Sequence, residues 1–424
     1  LIFKFPNFHE AKLNLGNIYK KQGRHLNAIK IYKSLLPKIF EPDKVCHNIA
    51  ISFLELGDIE NAKSFLIKAI SYNPINTSAH RSLSRLINYR KQNDHTNEIQ
   101  RLQEYSRFTI DQKIDLYMVQ HKIYHDNFDY ENSFKFLKEA NNLKKHSLGY
   151  NIQKDRYLFE LINNNFNYSY SSPIATKKSL PSNEVNPIFI VGLPRSGTSL
   201  VEQILSCHSK VSAMGERTFF SKLLQNSHLR TLKNDQNLLF KLKLQYEKKV
   251  TDMGFKGIVT DKVPSNFFWI GIIKLCFPTA KIIHVIRDLK AVAWSNYCTF
   301  FHDSNIGFCY DLDDLTEYIQ LYNCLCSLWY KIFPNELITL DYELLVKNPK
   351  VTITKLLKDL ELDVENNCFK PHLSRVAVGT ASNIQVRKPI YKNSSKNWTP
   401  YSDYLSVFNT LPYYRDFLNT IEMT

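Results

Sequence analysis

No apolar run in the sequence approaches the roughly 18 to 20 residues needed to cross a bilayer. The longest candidate, FFWIGIIKLCF, is about half that length. No secretory signal pattern opens the chain, so the expected location is cytoplasmic. The chain begins at Leu1 rather than Met, which leaves its upstream side open. Cysteine is present eight times but never as C-x-x-C, and Cys324 and Cys326 are the nearest pair. That excludes both a zinc spacing and a disulfide framework, and implies reduced, mostly buried thiols. Acidic residues are in deficit, 40 against 55 basic ones, for a formal charge of +15. Such a surplus favours anionic partners. No arginine-aromatic block accompanies it, and lysine is spread among Asn and Ile throughout. A small phosphorylated cofactor therefore suits the charge better than nucleic acid.

With 44% apolar and 22% charged residues the composition is globular, and 424 residues exceed what one growing core accommodates, so two domains are expected. The first half repeats itself. LNLGNIYKKQGRHLNAIKIYKSLL aligns with HNIAISFLELGDIENAKSFLIKAI: Gly16 with Ala50, Tyr19 with Phe53, Gly23 with Gly57, Ala28 with Ala62, and Leu35 with Ala69, each pair 34 residues apart. Small residues let two antiparallel helices approach, an aromatic fills the gap, and glycine serves the shared turn. Pro74 closes the second unit. The pattern resembles the tetratricopeptide repeat. Leu83 and Ile87 extend the register to a weaker third unit, and Ser133 and Ala140 mark a fourth after a short insertion.

The helical period stops near residue 165. NYSYSSPIATKKSLPSNEVNP reads as a linker, giving a repeat domain over 1–165, a linker over 166–187 and a second domain over 188–424. There, IFIVG, GIVTDK, KIIHVIRD and ELITLDY alternate with helical stretches. This predicts a P-loop-like α/β domain with a central parallel sheet and ligands at the carboxyl ends of its strands.

The first strand runs into Gly192-Leu-Pro-Arg-Ser-Gly197 and then Thr198-Ser199, which open a helix. Amides converging in a tight turn at a helix N-terminus make an anion site. Hydroxyls of Ser196, Thr198 and Ser199 add donors, and Arg195 offers a planar charged fork. A nucleoside-triphosphate P-loop would carry a lysine where Thr198 stands, followed by a magnesium-holding hydroxyl. The cation has moved to Arg195, and no metal is demanded. Asp288, at the end of KIIHVIRD, suits either a magnesium ligand or a helix cap.

PRSGTSL resembles the 5′-phosphosulfate loop of sulfotransferases that use 3′-phosphoadenosine-5′-phosphosulfate (PAPS). It is similar in particular to protein-tyrosine sulfotransferases and to bacterial proteins joining tetratricopeptide repeats to a sulfotransferase domain. The resemblance implies a set of roles. Arg195, Ser196, Gly197, Thr198 and Ser199 would hold the 5′ end, and Arg287 with Ser295, eight residues later, the 3′-phosphate. Glu216 in SAMGERT, 21 residues beyond Arg195, would be the base that takes the acceptor proton. Lys262 in a DK-x-P setting, with Arg195, would stabilise developing charge. In the C-terminal TASNIQVRKPIYKNSSKNWTPY, Lys388 and the weaker candidate Ser382 would contact the nucleotide. Arg387 would be a neighbour without contact, and Trp398 packing rather than a cofactor stack. Leu289 and Lys290 depart from the proline or small residues of the family pattern without touching Arg287 or Ser295.

The sequence thus points to a PAPS-dependent sulfotransferase acting on a hydroxyl of a peptide tyrosine, a glycan or a small metabolite, with the repeat surface available to a protein partner. Two other readings stay open. One is a tetratricopeptide-repeat scaffold with an inactive nucleotide-binding domain, and the other a magnesium-dependent nucleotide phosphotransferase.

Overall fold

A computed structural model describes residues 8–36, 39–90, 94–104, 107–167, 185–224, 235–301 and 304–412. Its first half is helical. Helices α1 (His9–Lys21) and α2 (His25–Leu35) form one antiparallel pair, and α3 (Pro42–Leu56) and α4 (Ile59–Tyr72) the next. Gly23 and Gly57 sit at the two turns with φ of +78° and +83°, a left-handed conformation that glycine adopts without a Cβ penalty. Ala28, Ala50, Ala62 and Ala69 are fully buried at the helix contacts. A Cβ on Gly16 would lie 2.4 Å from the Tyr32 ring, so the aromatic fills the space that glycine leaves. Asp58 caps α4 by accepting from the Asn61 amide at 3.1 Å.

Beyond these two pairs the repeat loosens. Helix α5 (Thr77–Ser84) has only 8 residues and packs on α4 and on α7 (Ile110–Asp126), while α6 (Asp94–Gln103) packs on α7. Leu83 is buried on α5, but Ile87 falls past its end. Helix α8 (Tyr130–Leu148) pairs with α7 and buries Ser133 and Ala140, the two markers of the fourth unit.

Helix α9 (Gln153–Asn167) runs across the expected boundary at 165. By packing it belongs to the second half, because Phe159, Ile162 and Phe166 enter the core around the sheet. Most of the expected linker, residues 168–184, lies outside the described residues. Strand β1 (Val185–Gly192) starts three residues before the expected 188, because Val185 already pairs with Gly257.

The sheet has five parallel strands: β1, β2 (Val211–Ala213), β3 (Gly257–Asp261), β4 (Lys281–Ile286) and β5 (Leu337–Asp341), in the order β2-β3-β1-β4-β5. Strand β1 is central, with Ile188 and Ile190 facing one core and Phe189 and Val191 the other. Both faces are covered, as an all-parallel sheet requires. Since β3 and β4 flank β1 on opposite sides, the strand order reverses at β1, which puts a crevice at its carboxyl end.

Candidate active site at the carboxyl end of the sheet

From Gly192 the chain turns through Leu193–Gly197 into helix α10 (Thr198–Leu205). Gly197 is the N-cap at φ +113°, and a Cβ there would lie 2.4 Å from the Tyr342 ring. Arg195 is left-handed as well, at φ +68°, a conformation that costs a non-glycine residue about 1 kcal/mol or more. Its side chain holds that geometry. Nε donates to Ser295 Oγ at 3.0 Å, Nη2 to Gln385 Oε1 at 2.6 Å, and Nη1 to Ser382 Oγ.

Arg287, at the end of β4, donates through Nη1 to the Arg195 carbonyl at 3.0 Å and lies over the Tyr342 ring at 4.5 Å. Its Nε donates to Ser395 Oγ at 3.2 Å, and Ser395 donates to Glu343 at 2.6 Å. Burial first, then the neighbouring Arg287 charge, pull the Arg195 guanidinium down to about 10, so it stays charged at neutral pH. Among the described residues no carboxylate pairs with Arg195. A narrow arm of the crevice is lined by Arg195, Arg287, Lys388, Ser199, Ser382 and Tyr391, with no acidic side chain among the described residues of its wall.

A second group sits beside the loop. Lys262, directly after β3, is fully buried, with its Nζ 2.6 Å from Glu216 Oε1 and 3.9 Å from Glu202 Oε2. Glu202, on α10, accepts from the Gly215 amide and from Thr260 Oγ1, each at 3.0 Å. Burial raises its carboxyl and the Lys262 charge opposes that rise. Glu216 covers Lys262 and faces a cavity of about 720 Å³. The cavity is also lined by Arg195, Thr198, Ser199 and Ser382, and its far walls are aromatic: Tyr150, Phe267, Phe268, Trp269, Phe301, Phe308 and Tyr318.

The sequence model of the Sulfotransferase family matches residues 187–366, a span holding the loop, both arginines and the Lys262–Glu216 pair. The Tetratricopeptide repeat model matches 9–36 and 43–76. The chain joins tetratricopeptide repeats to a sulfotransferase-family domain. An Aquifex aeolicus (strain VF5) protein described as uncharacterized is 29% identical over 419 residues, 95% of this chain. The chain spans 54% of that relative's length. Among solved structures, the sulfotransferase domain of the Synechococcus PCC 7002 olefin synthase is 19% identical, covering 58% of this chain and 97% of its own, at a TM-score of 0.41. A sulfotransferase from Mycobacterium avium is 10% identical, covering 73% of this chain and 88% of its own, at a TM-score of 0.33.

Within the sulfotransferase domain, Arg195, Thr198, Ser199, Arg287, Ser295, Ser382 and Lys388 gather around one crevice, with Glu216 and Lys262 at its side. Ser196 does not join them. Its Oγ is buried without a hydrogen-bond partner in a small space under the loop, beside Leu193, Leu289, Val292 and the inner side of Arg287, and its amide is spent on the Leu193 carbonyl at 3.1 Å. The left-handed turn at Arg195 aims consecutive side chains in opposite directions, which spacing alone does not reveal. Asp288 is a cap: its carboxylate accepts from the Ala291 amide at 2.8 Å at the start of the helix Leu289–Tyr297. Trp398 packs against the core with Lys290 Nζ 5.2 Å from its ring centre, in keeping with a packing role.

Three participants escape the sequence reading. Gln385 holds Arg195, Glu202 backs Lys262, and Tyr342 lies under Arg287. Gln385 sits two residues before Arg387 in QVRKP and carries no charge to draw notice. Glu202 lies on α10, where helical periodicity marks a core face. NFFW shows only as an apolar run, and nothing local marks it as the wall of a cavity.

Proposed function

We propose that the chain transfers the sulfuryl group of PAPS to an acceptor hydroxyl. The supporting observation is the pairing of a cationic, carboxylate-free arm at Arg195 and Arg287 with a Lys262–Glu216 pair facing the adjoining cavity. A nucleotide with anionic groups at two separated positions suits that donor set: the Gly197–Ser199 helix start at one, and Arg287, Ser295 and Lys388 at the other. When bound, PAPS would supply an activated sulfuryl group with a good leaving phosphate.

The residues then have distinct work. Glu216, the more exposed member of its pair, accepts the proton of the incoming hydroxyl. A carboxylate that takes up a proton loses its hold on Lys262. The ammonium is then free to meet negative charge as it develops, while Glu202 behind it keeps the buried cation compensated. Arg195 stabilises charge on the loop side from a fixed guanidinium, so little reorganisation is needed. The aromatic walls exclude water and suit an acceptor with an apolar face, as a tyrosine ring or a hydroxylated metabolite offers.

Calorimetry on the whole chain separates this reading from its rivals. Adenosine 3′,5′-bisphosphate should bind, and ATP with magnesium should bind far more weakly. Tight binding of ATP-magnesium with none of the bisphosphate would overturn it in favour of a phosphotransferase. Absence of both would leave the scaffold reading.

A further inference from the structure

The segment 376–388 crosses the nucleotide crevice, and the side it turns away from the crevice is fastened to the repeats. Arg387 points away from the narrow arm and into the α3–α4 turn. Its Nη2 donates to the Glu55 carbonyl at 3.1 Å and to the Val376 carbonyl at 2.6 Å, and Nη1 donates to the Ser374 carbonyl. The Val378 amide donates to the same Glu55 carbonyl at 2.9 Å. A Cβ on Gly57 would lie 2.6 Å from Arg387 Nε, so the repeat's turn glycine also makes room for this guanidinium. One repeat further on, Arg85 at the end of α5 donates to the Ala381 carbonyl at 3.2 Å and to Asn383 Oδ1 at 3.0 Å. Ile384 packs against the apolar core of the repeats.

Arg85 thus grips the residues on either side of Ser382, and Ser382 and Gln385 are the groups that hold the Arg195 guanidinium. We infer that Arg85 and Arg387 are positioning residues for the donor-nucleotide site: the repeats hold the strap that fixes Arg195, so the repeat half completes the nucleotide site as well as offering a surface. Neither arginine acts on the nucleotide itself. Arg85 lines neither the narrow arm nor the large cavity, and both terminal nitrogens of Arg387 are spent on the backbone carbonyls of Ser374, Val376 and Glu55. The inference rests on the sulfotransferase reading above.

The test uses the full chain and adenosine 3′,5′-bisphosphate as probe. Arg85→Ala and Arg387→Ala should each weaken binding about tenfold or more by calorimetry, with an unliganded thermal midpoint within a few degrees of the parent. Hydrogen exchange should speed up at amides 378–386 and stay unchanged in strands β1, β3 and β4. Arg387→Lys, which keeps charge but loses the fork, should recover only part of the affinity. If Arg387→Ala fails to fold, Arg85→Ala decides alone, since its side chain lies at an exposed rim. Parent-like affinity and exchange in Arg85→Ala, with the parent binding normally, overturn the inference. A parent that does not bind the bisphosphate overturns the sulfotransferase reading instead.

Discussion

Glu216 and Lys262 sit 2.6 Å apart, yet their burial differs sharply: the lysine side chain is fully covered and the glutamate is 40% exposed. That asymmetry predicts different consequences for the two substitutions. Glu216→Gln keeps the size and a hydrogen-bond acceptor for Lys262 and removes the basic carboxylate. Sulfuryl transfer should fall by about 10²–10⁴-fold while bisphosphate affinity changes by less than about threefold. Lys262→Met, by contrast, leaves Glu202 buried without its cation and should lower the thermal midpoint as well as the rate. Transfer assayed from labelled PAPS, alongside calorimetry and thermal unfolding, reads all three quantities. A Glu216→Gln chain that loses affinity in step with rate would mark that residue as structural rather than as the base.

At the scale of elements, the loop between β1 and α10 works because two residues accept left-handed backbone and because Gly197 lets the Tyr342 ring approach. Gly197→Ala would both strain φ at +113° and drive a methyl into that ring. We expect bisphosphate affinity to drop at least tenfold and the thermal midpoint to fall. An alanine variant with parent affinity would mean that the loop tolerates a shifted helix start. The parallel strands, the cradle and the 34-residue repeat are legible in the sequence because each leaves a local trace: β-branched runs, glycines at fixed offsets, small residues at one period. Arg287 and Ser295 are singled out by the resemblance alone, through the eight-residue interval they share with the sulfotransferase pattern. What the chain brings together from afar leaves no such trace. Ser382 and Gln385 reach Arg195 across almost two hundred residues, α9 joins the sheet's core from the far side of the expected boundary, and Arg387 faces the repeats. Ser196 lies in a legible motif, and its direction depends on a φ sign that residue identity at Arg195 does not announce.

Over the whole molecule, burial acts on two sets of titratable groups with opposite signs. Among the described residues, six histidines are lowered chiefly by burial: His25 and His121 to about 4, His95 and His284 to about 3, with His80 and His125 in the same direction. Each has a folded pKa below its unfolded value near 6.5, so its stabilising contribution is present above that pH and is lost as pH falls towards the folded value. Four carboxyls of the described residues shift the other way: Asp261 and Glu55 rise to about 7, and Glu202 and Asp155 rise as well, in each case chiefly through burial. The folded state takes up their protons first, so they favour folding as pH drops, Asp261 and Glu55 from about 7 downwards. The histidines outnumber them. Between pH 6.5 and 4.5 the unfolded chain should therefore bind more protons than the folded one, and stability should fall with pH. The thermal midpoint should fall with it across that window. Asp261→Asn removes one opposing group while keeping an acceptor for the Tyr246 hydroxyl, which donates to Asp261 at 3.0 Å, and should steepen the fall. A midpoint that is flat or rising from pH 6.5 to 4.5 would show that the carboxyls, rather than the histidines, govern the acid side of this fold.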